Sequence, residues 1–77
     1  MTKLIIWIVY HPDVKVRFCY DTILAALQIR VVKGRYISEH LIDEAEYSNS
    51  LNELEDHIIL VLNDLYDRLE KEMNDND

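Results

Sequence analysis

From Leu51 onward the apolar residues Leu51, Leu54, Ile58, Val61, Leu62, Leu65, Tyr66, Leu69 and Met73 recur at three- and four-residue spacing. That period winds them into one stripe along about six helical turns. Ser50-Leu51-Asn52-Glu53 has the spacing of a capping box, with Ser at the cap and Glu three residues on. The pattern predicts a long helix from Leu51 to about Met73. A helix with one apolar stripe gains most of its stability by covering something, so the preceding residues must supply a surface of matching width. The 77 residues allow a single domain, 1–77, with residues 74–77 expected to fray.

The covering surface is expected to be a small antiparallel sheet, which makes the fold class α+β. Leu4 to Tyr10 (LIIWIVY) is rich in β-branched and aromatic residues, and Val14 to Tyr20 alternates apolar with basic before running apolar. His11-Pro12-Asp13 between them reads as a turn, so the pair is expected to form a β-hairpin. The first strand has no polar side, which implies cover on both faces and favours a homodimer.

Residues 21–34 admit two readings. Asp21 is a good N-cap and Gly34 a good helix stop, giving a helix up to Lys33. The other reading, which Ile29, Val31 and Val32 favour, ends the helix near Leu27 and makes Gln28 to Val32 a strand. Lys33-Gly34 is then a turn into a partner strand at Arg35 to Ser38. Glu39 to Tyr47 is expected to be a short helical turn or loop, and Ser48-Asn49-Ser50 a break.

Charge is segregated along the chain. Residues 1–38 carry six bases and two acids, a balance of +4, whereas residues 39–77 carry thirteen acids and two bases, a balance of −11, and together these give the net −7. The lone Cys19 excludes an internal disulfide and is expected to be a buried small hydrophobe in a reducing compartment. The apolar run Leu4 to Tyr10 is too short to span a bilayer, so a soluble cytoplasmic protein is expected.

No nucleophile, base and orienting group are spaced for catalysis, and the expectation is that the protein is not an enzyme. His11, His40 and His57 lack zinc-ligand spacing, and with Gly34 the only glycine there is no phosphate loop. No cofactor or metal is expected. Direct nucleic-acid binding would use Lys15, Arg17, Arg30, Lys33 and Arg35, with Tyr20 or Tyr36 as stacking surfaces. A helix, the Lys33-Gly34 turn and a helix from Ser38 would imitate a helix-turn-helix, but Glu39, Asp43, Glu44 and Glu46 would then repel phosphates. The acids themselves are the better candidates. Glu53, Asp56, Asp67 and Glu70 fall on one side of the last helix, about a turn or whole turns apart. A solvated helix face is the ordinary meaning of such a row, and a surface imitating phosphates is the functional one.

The run Leu27-Gln-Ile-Arg-Val-Val-Lys-Gly-Arg-Tyr-Ile-Ser38, followed by acidic Glu39 to Tyr47 and an amphipathic helix, resembles the layout of small acidic phage-encoded inhibitors, among them anti-CRISPR and anti-restriction proteins. The resemblance covers residues 27–73 and lies in size, charge and layout. It implies an inhibitor in the host cytoplasm that occupies a basic nucleic-acid-binding surface of a partner protein. The contacts expected on that reading are Glu39, Asp43, Glu44, Glu46, Glu53, Asp56, Asp67 and Glu70. A homodimeric adaptor whose acids only solubilise, and a small nucleic-acid-binding regulator using the basic half, are the alternatives.

Overall fold

The computed structural model describes residues 2–43 and 51–75. The order of elements is α1 (Thr2–Tyr10), β1 (Lys15–Asp21), β2 (Ala26–Lys33), β3 (Tyr36–Asp43) and α2 (Leu51–Asp75). The strands form an antiparallel meander with β2 in the centre. Both helices lie on one face of the sheet, α2 chiefly across β3 and β2, with α1 packed beside α2. This is the α+β architecture expected from the sequence.

The long helix forms as its periodicity requires. Ile58, Val61, Leu62, Leu65 and Leu69 are all buried, and Leu54 and Tyr66 pack against them. They meet Ile29 and Val31 of β2 and Ile42 of β3, each fully buried. The period of two places Leu27, Ile29, Val31 and Lys33 on this inner face, together with Val16, Phe18 and Tyr20 of β1 and Tyr36, Ser38, His40 and Ile42 of β3. The opposite face carries Lys15, Arg17, Cys19, Gln28, Arg30, Ile37, Glu39 and Leu41, and no described element covers it.

The β2–β3 hairpin confirms the strand reading of residues 28–38 and lengthens both strands. Lys33 pairs with Tyr36, which leaves Gly34-Arg35 as a two-residue loop. Gly34 has φ +60°, and among the described residues only Ala25 shares a positive φ. A positive φ at the first loop position alone is the type II′ pattern, whose twist suits a hairpin.

Four local expectations are overturned. Leu4 to Tyr10 is not a strand but most of α1. As a helix it brings Leu4 and Trp7 onto α2 and the inner face of the sheet, and that burial outweighs the weak strand preference of isoleucine and valine. Asp21 does not begin a helix. Its Oδ1 accepts the N–H groups of Ile23 at 2.9 Å and Leu24 at 3.0 Å, the arrangement of a cap, but the chain turns back at Ala25, φ +49°, and enters β2. The helix-turn-helix imitation disappears with it. Residues 39–43 are strand, not helical turn or loop, because Ile42 fills the core opposite Leu27. Cys19 is exposed on the outer sheet face. The expected contacts Glu44 and Glu46, the break at 48–50 and the cap at Ser50 lie outside the described residues.

Two substitutions test this account. Leu62→Ala removes a fully buried side chain at the centre of the stripe and should cost about 2–5 kcal/mol in urea unfolding. Ala25→Gly relieves a left-handed φ that costs an L residue about 1 kcal/mol. It should raise the melting temperature by roughly 4–8 °C per kcal/mol recovered. Glycine's extra freedom in the unfolded chain offsets part of that gain, about 0.4–1 kcal/mol, so a midpoint lowered by the full offset would contradict the turn geometry.

Candidate functional site

Several of the acids singled out in the sequence spend their charge inside the fold. Asp56 Oδ1 accepts a hydrogen bond from Lys3 Nζ at 2.7 Å, which ties α2 to the start of α1. Glu39 Oε1 lies 2.9 Å from Arg30 Nε, an ion pair without hydrogen-bond alignment, and Glu39 Oε2 accepts from Gln28 Nε2 at 3.2 Å. Glu70 Oε1 accepts from Lys33 Nζ at 2.8 Å. Asp43, Glu53 and Asp67 are exposed. The structure therefore does not assemble the set into one continuous row.

Lys33 is the hub of the best-organised polar cluster. Its Nζ lies 2.8 Å from both Asp13 Oδ2 and Glu70 Oε1, and 5.5 Å from the centroid of the Tyr66 ring. Trp7 and His11 stack with centroids 3.9 Å apart, and both meet Tyr66 edge to face. His11 Nδ1 is 2.7 Å from the Trp7 carbonyl oxygen, and Trp7 Nε1 donates to Asn63 Oδ1 at 2.8 Å. The cluster joins the end of α1, the Pro12-Asp13 turn, the end of β2 and the middle of α2. Hydrogen bonding to Lys33 holds the carboxyls of Asp13 and Glu70 below their usual range. The hydrogen bonds to Asp13 and Glu70 in turn hold the Lys33 ammonium above its usual range, and hydrogen bonding to Glu70 raises the Tyr66 phenol. These are charge-locking shifts. A lysine fixed in its charged state by two carboxylates is a poor base and a good fastener.

Among the described residues two surfaces stand out. The first is the outward side of α2. This 25-residue helix carries Glu53, Glu55, Asp56, Asp64, Asp67, Glu70, Glu72 and Asp75 against Arg68 and Lys71. Eight acids less two bases give −6 on one element. Asp64 pairs with Arg68 at 2.7 Å, whereas Asp67, Glu72 and Asp75 face solvent. The second is α1, which buries Trp7 but leaves Ile5, Ile6, Ile8, Val9 and Tyr10 between 41% and 78% exposed. An open apolar groove of about 420 Å³ between α1 and α2 is lined by Ile6, Trp7, Tyr10 and Ile59. The strand reading of residues 4–10 concealed this surface, although the absence of any polar side in LIIWIVY was a signal that more than one face needed cover.

The basic half offers less. Of the five bases considered for nucleic acid, Arg30 and Lys33 are engaged by Glu39, Asp13 and Glu70. Arg35 lies over the Tyr36 ring, 5.3 Å from its centroid. Lys15 and Arg17 stay exposed on the outer sheet face, but Tyr20 and Tyr36 belong to the inner one. Lys15 and Arg17 are thus separated from both rings by the thickness of the sheet. Among the described residues no group of three or more His, Cys, Asp and Glu is placed to hold a metal ion. No described helix is long and apolar enough to cross a membrane.

The Lys33 cluster predicts a pH profile. Because Asp13 and Glu70 are depressed from ordinary values of 3.8 and 4.5, their contribution is complete above about pH 5 and is lost as pH falls through the depressed values. Lys33 is raised from 10.5, so its contribution is complete below about pH 10 and is lost as pH climbs through the raised value. Urea midpoints for wild type should fall at both extremes. Lys33→Met should flatten both limbs, and an unaltered acid limb in that variant would show that other carboxylates govern it.

Compared with known proteins, the chain matches no protein-family model, no curated sequence and no solved structure.

Proposed function

We propose that the protein works by stoichiometric binding, presenting the outward side of α2 to a basic surface on a protein partner that handles nucleic acid. The observation that carries this reading is the net −6 of one rigid helix. A helix fixed along its length by a buried stripe holds its outward carboxylates at set spacings, as a phosphate backbone does. Charges fixed in this way steer association and select a partner of opposite sign. The resemblance to acidic phage-encoded inhibitors points the same way.

The geometry modifies the expected contact set. Glu39 and Glu70 are drawn toward Arg30 and Lys33 and Asp56 toward Lys3; Glu53, Asp67 and Glu72 are chosen for their exposure on α2. Asp43, exposed at the end of β3, shares the parity of Glu39 and Leu41 on the sheet face away from α2 and leaves the set. The homodimeric adaptor remains a second reading, favoured by the exposed apolar residues of α1. The two readings use different flanks of the molecule and are compatible.

The test is a capture experiment with the whole chain immobilised, followed by competition. Partner bound by wild type should be displaced by added double-stranded DNA and by salt, because screening shortens the reach of exposed charges to about 8 Å at physiological ionic strength. The triple variant Glu53→Lys, Asp67→Lys, Glu72→Lys changes exposed helix positions, each expected to shift stability by no more than about 0.5 kcal/mol. It should stay folded by circular dichroism and lose the partner. A folded triple variant that retains its partner at full strength, with DNA in excess making no difference, would overturn the mimicry reading.

A further inference from the structure

One lateral flank of the molecule combines a strand edge with an uncovered apolar surface. Among the described residues β1 has a strand neighbour on one side only. The two-residue loop makes Lys33 and Tyr36 a hydrogen-bonded pair, so Val31 and Ile29 bond toward β3, and Gln28, Arg30 and Val32 bond toward β1. Their partners Cys19, Arg17 and Lys15 therefore bond inward. Val16 and Phe18 turn their N–H and C=O groups outward.

α1 comes nearest this edge at Leu4. Leu4 and Phe18 line the same apolar cavity of about 170 Å³, together with Leu27, Leu54 and Ile58. Ile6 and Tyr10 border the groove against Ile59 of α2. The helical period then puts Ile5 and Ile8 on the flank of α1 away from α2.

We propose that a second copy of this chain covers that flank, pairing β1 with β1 in antiparallel fashion about a two-fold axis at Phe18 and packing the two α1 helices together through Ile5 and Ile8. Charge supports this occupant. Setting Phe18 opposite its own counterpart aligns Lys15 of each copy with Asp21 of the other, a pair of opposite sign at each end of the seam. A slip of two residues in one direction sets Arg17 against Arg17. A slip in the other direction opposes Cys19 with Cys19 and leaves Lys15 beyond the second copy's strand. The central register keeps all seven residues of β1 facing a partner. The acids of α2 lie on another side, so repulsion between two chains of net −7 is least at this flank.

A continuous six-stranded sheet would also remove one of two open edges, which otherwise invite disordered association.

The experiment is light scattering of the full chain across a concentration series. Wild type should show twice the 9.2 kDa chain mass and dissociate on dilution. Phe18→Lys and, independently on the other element, Ile8→Lys should each give a folded monomer by circular dichroism. Lys15→Glu, which sets a Glu against Asp21, should raise the dimer dissociation constant at least about tenfold. Leu41→Lys on the outer face of β3 should leave the dimer unchanged. A wild-type monomer at millimolar concentration would overturn the proposal, as would a dimer that survives both Phe18→Lys and Ile8→Lys. Rapid formation of a Cys19–Cys19 disulfide would overturn the Phe18-centred register. None of these outcomes depends on whether α2 binds a basic partner.

Discussion

Burial of the α2 stripe against a single face of the sheet is the constraint from which the remaining arrangement follows. Ile58, Leu62, Leu65 and Leu69 need a surface as long as several helical turns, and three short strands provide it only by lying side by side with Ile29, Val31 and Ile42 turned the same way. Among the described residues no element is then left to cover the opposite face of the sheet. That face accordingly carries Lys15, Arg17, Gln28, Arg30 and Glu39, whose polar ends remain in water. One helix is also narrower than three strands. α1 docks beside α2, adding Leu4 and Trp7 to the core, and Leu4 also lines the space under Phe18 of β1.

The charge asymmetry of the sequence is partly undone by this packing. The basic half and the acidic half are brought together face to face, and Lys3, Arg30 and Lys33 find Asp56, Glu39, Asp13 and Glu70. Exposed pairs such as Lys3–Asp56 contribute little to stability by themselves. Lys33 differs because one ammonium meets two carboxylates and an aromatic face at the point where α1, β2 and α2 converge. Its position fixes the end of β2 relative to the long helix. What survives on the surface is an excess of acid on α2 beside a flank with almost no net charge.

How far the sequence could be read depended on how much of each segment's fate was decided locally. The α2 stripe repeats over 25 residues, and no other period fits it, so the helix and its buried centre at Leu62 were legible. Gly34 was legible too, because a hairpin turn demands a positive φ and a glycine supplies it. LIIWIVY was not, since β-branched residues favour a strand locally while the helix is chosen by what Leu4 and Trp7 can touch at distant positions such as Asn63. Asp21 sent a true capping signal that a four-residue turn uses as well as a helix does. Cys19 was misplaced because its exposure depends on which side of the sheet is covered. Spacing put Glu53, Asp56, Asp67 and Glu70 on one side of α2, but it carried no information about which of them the basic half would claim.

The same geometry separates the two kinds of work a binding surface does. Apolar area such as that of Ile5, Ile8 and Val9 gives affinity without much discrimination, at about 25 cal/mol per Å² removed from water. Fixed charge such as that of α2 contributes encounter rate and choice of partner more than affinity. In many small proteins both reside in one patch. Here α1 and β1 hold the first and the outward side of α2 the second. A contact made at the apolar flank therefore leaves the acidic flank open. Pairing two copies through α1 and β1 would present two acidic helices on one assembly, and a basic groove able to meet both would gain by effective concentration rather than by any new contact.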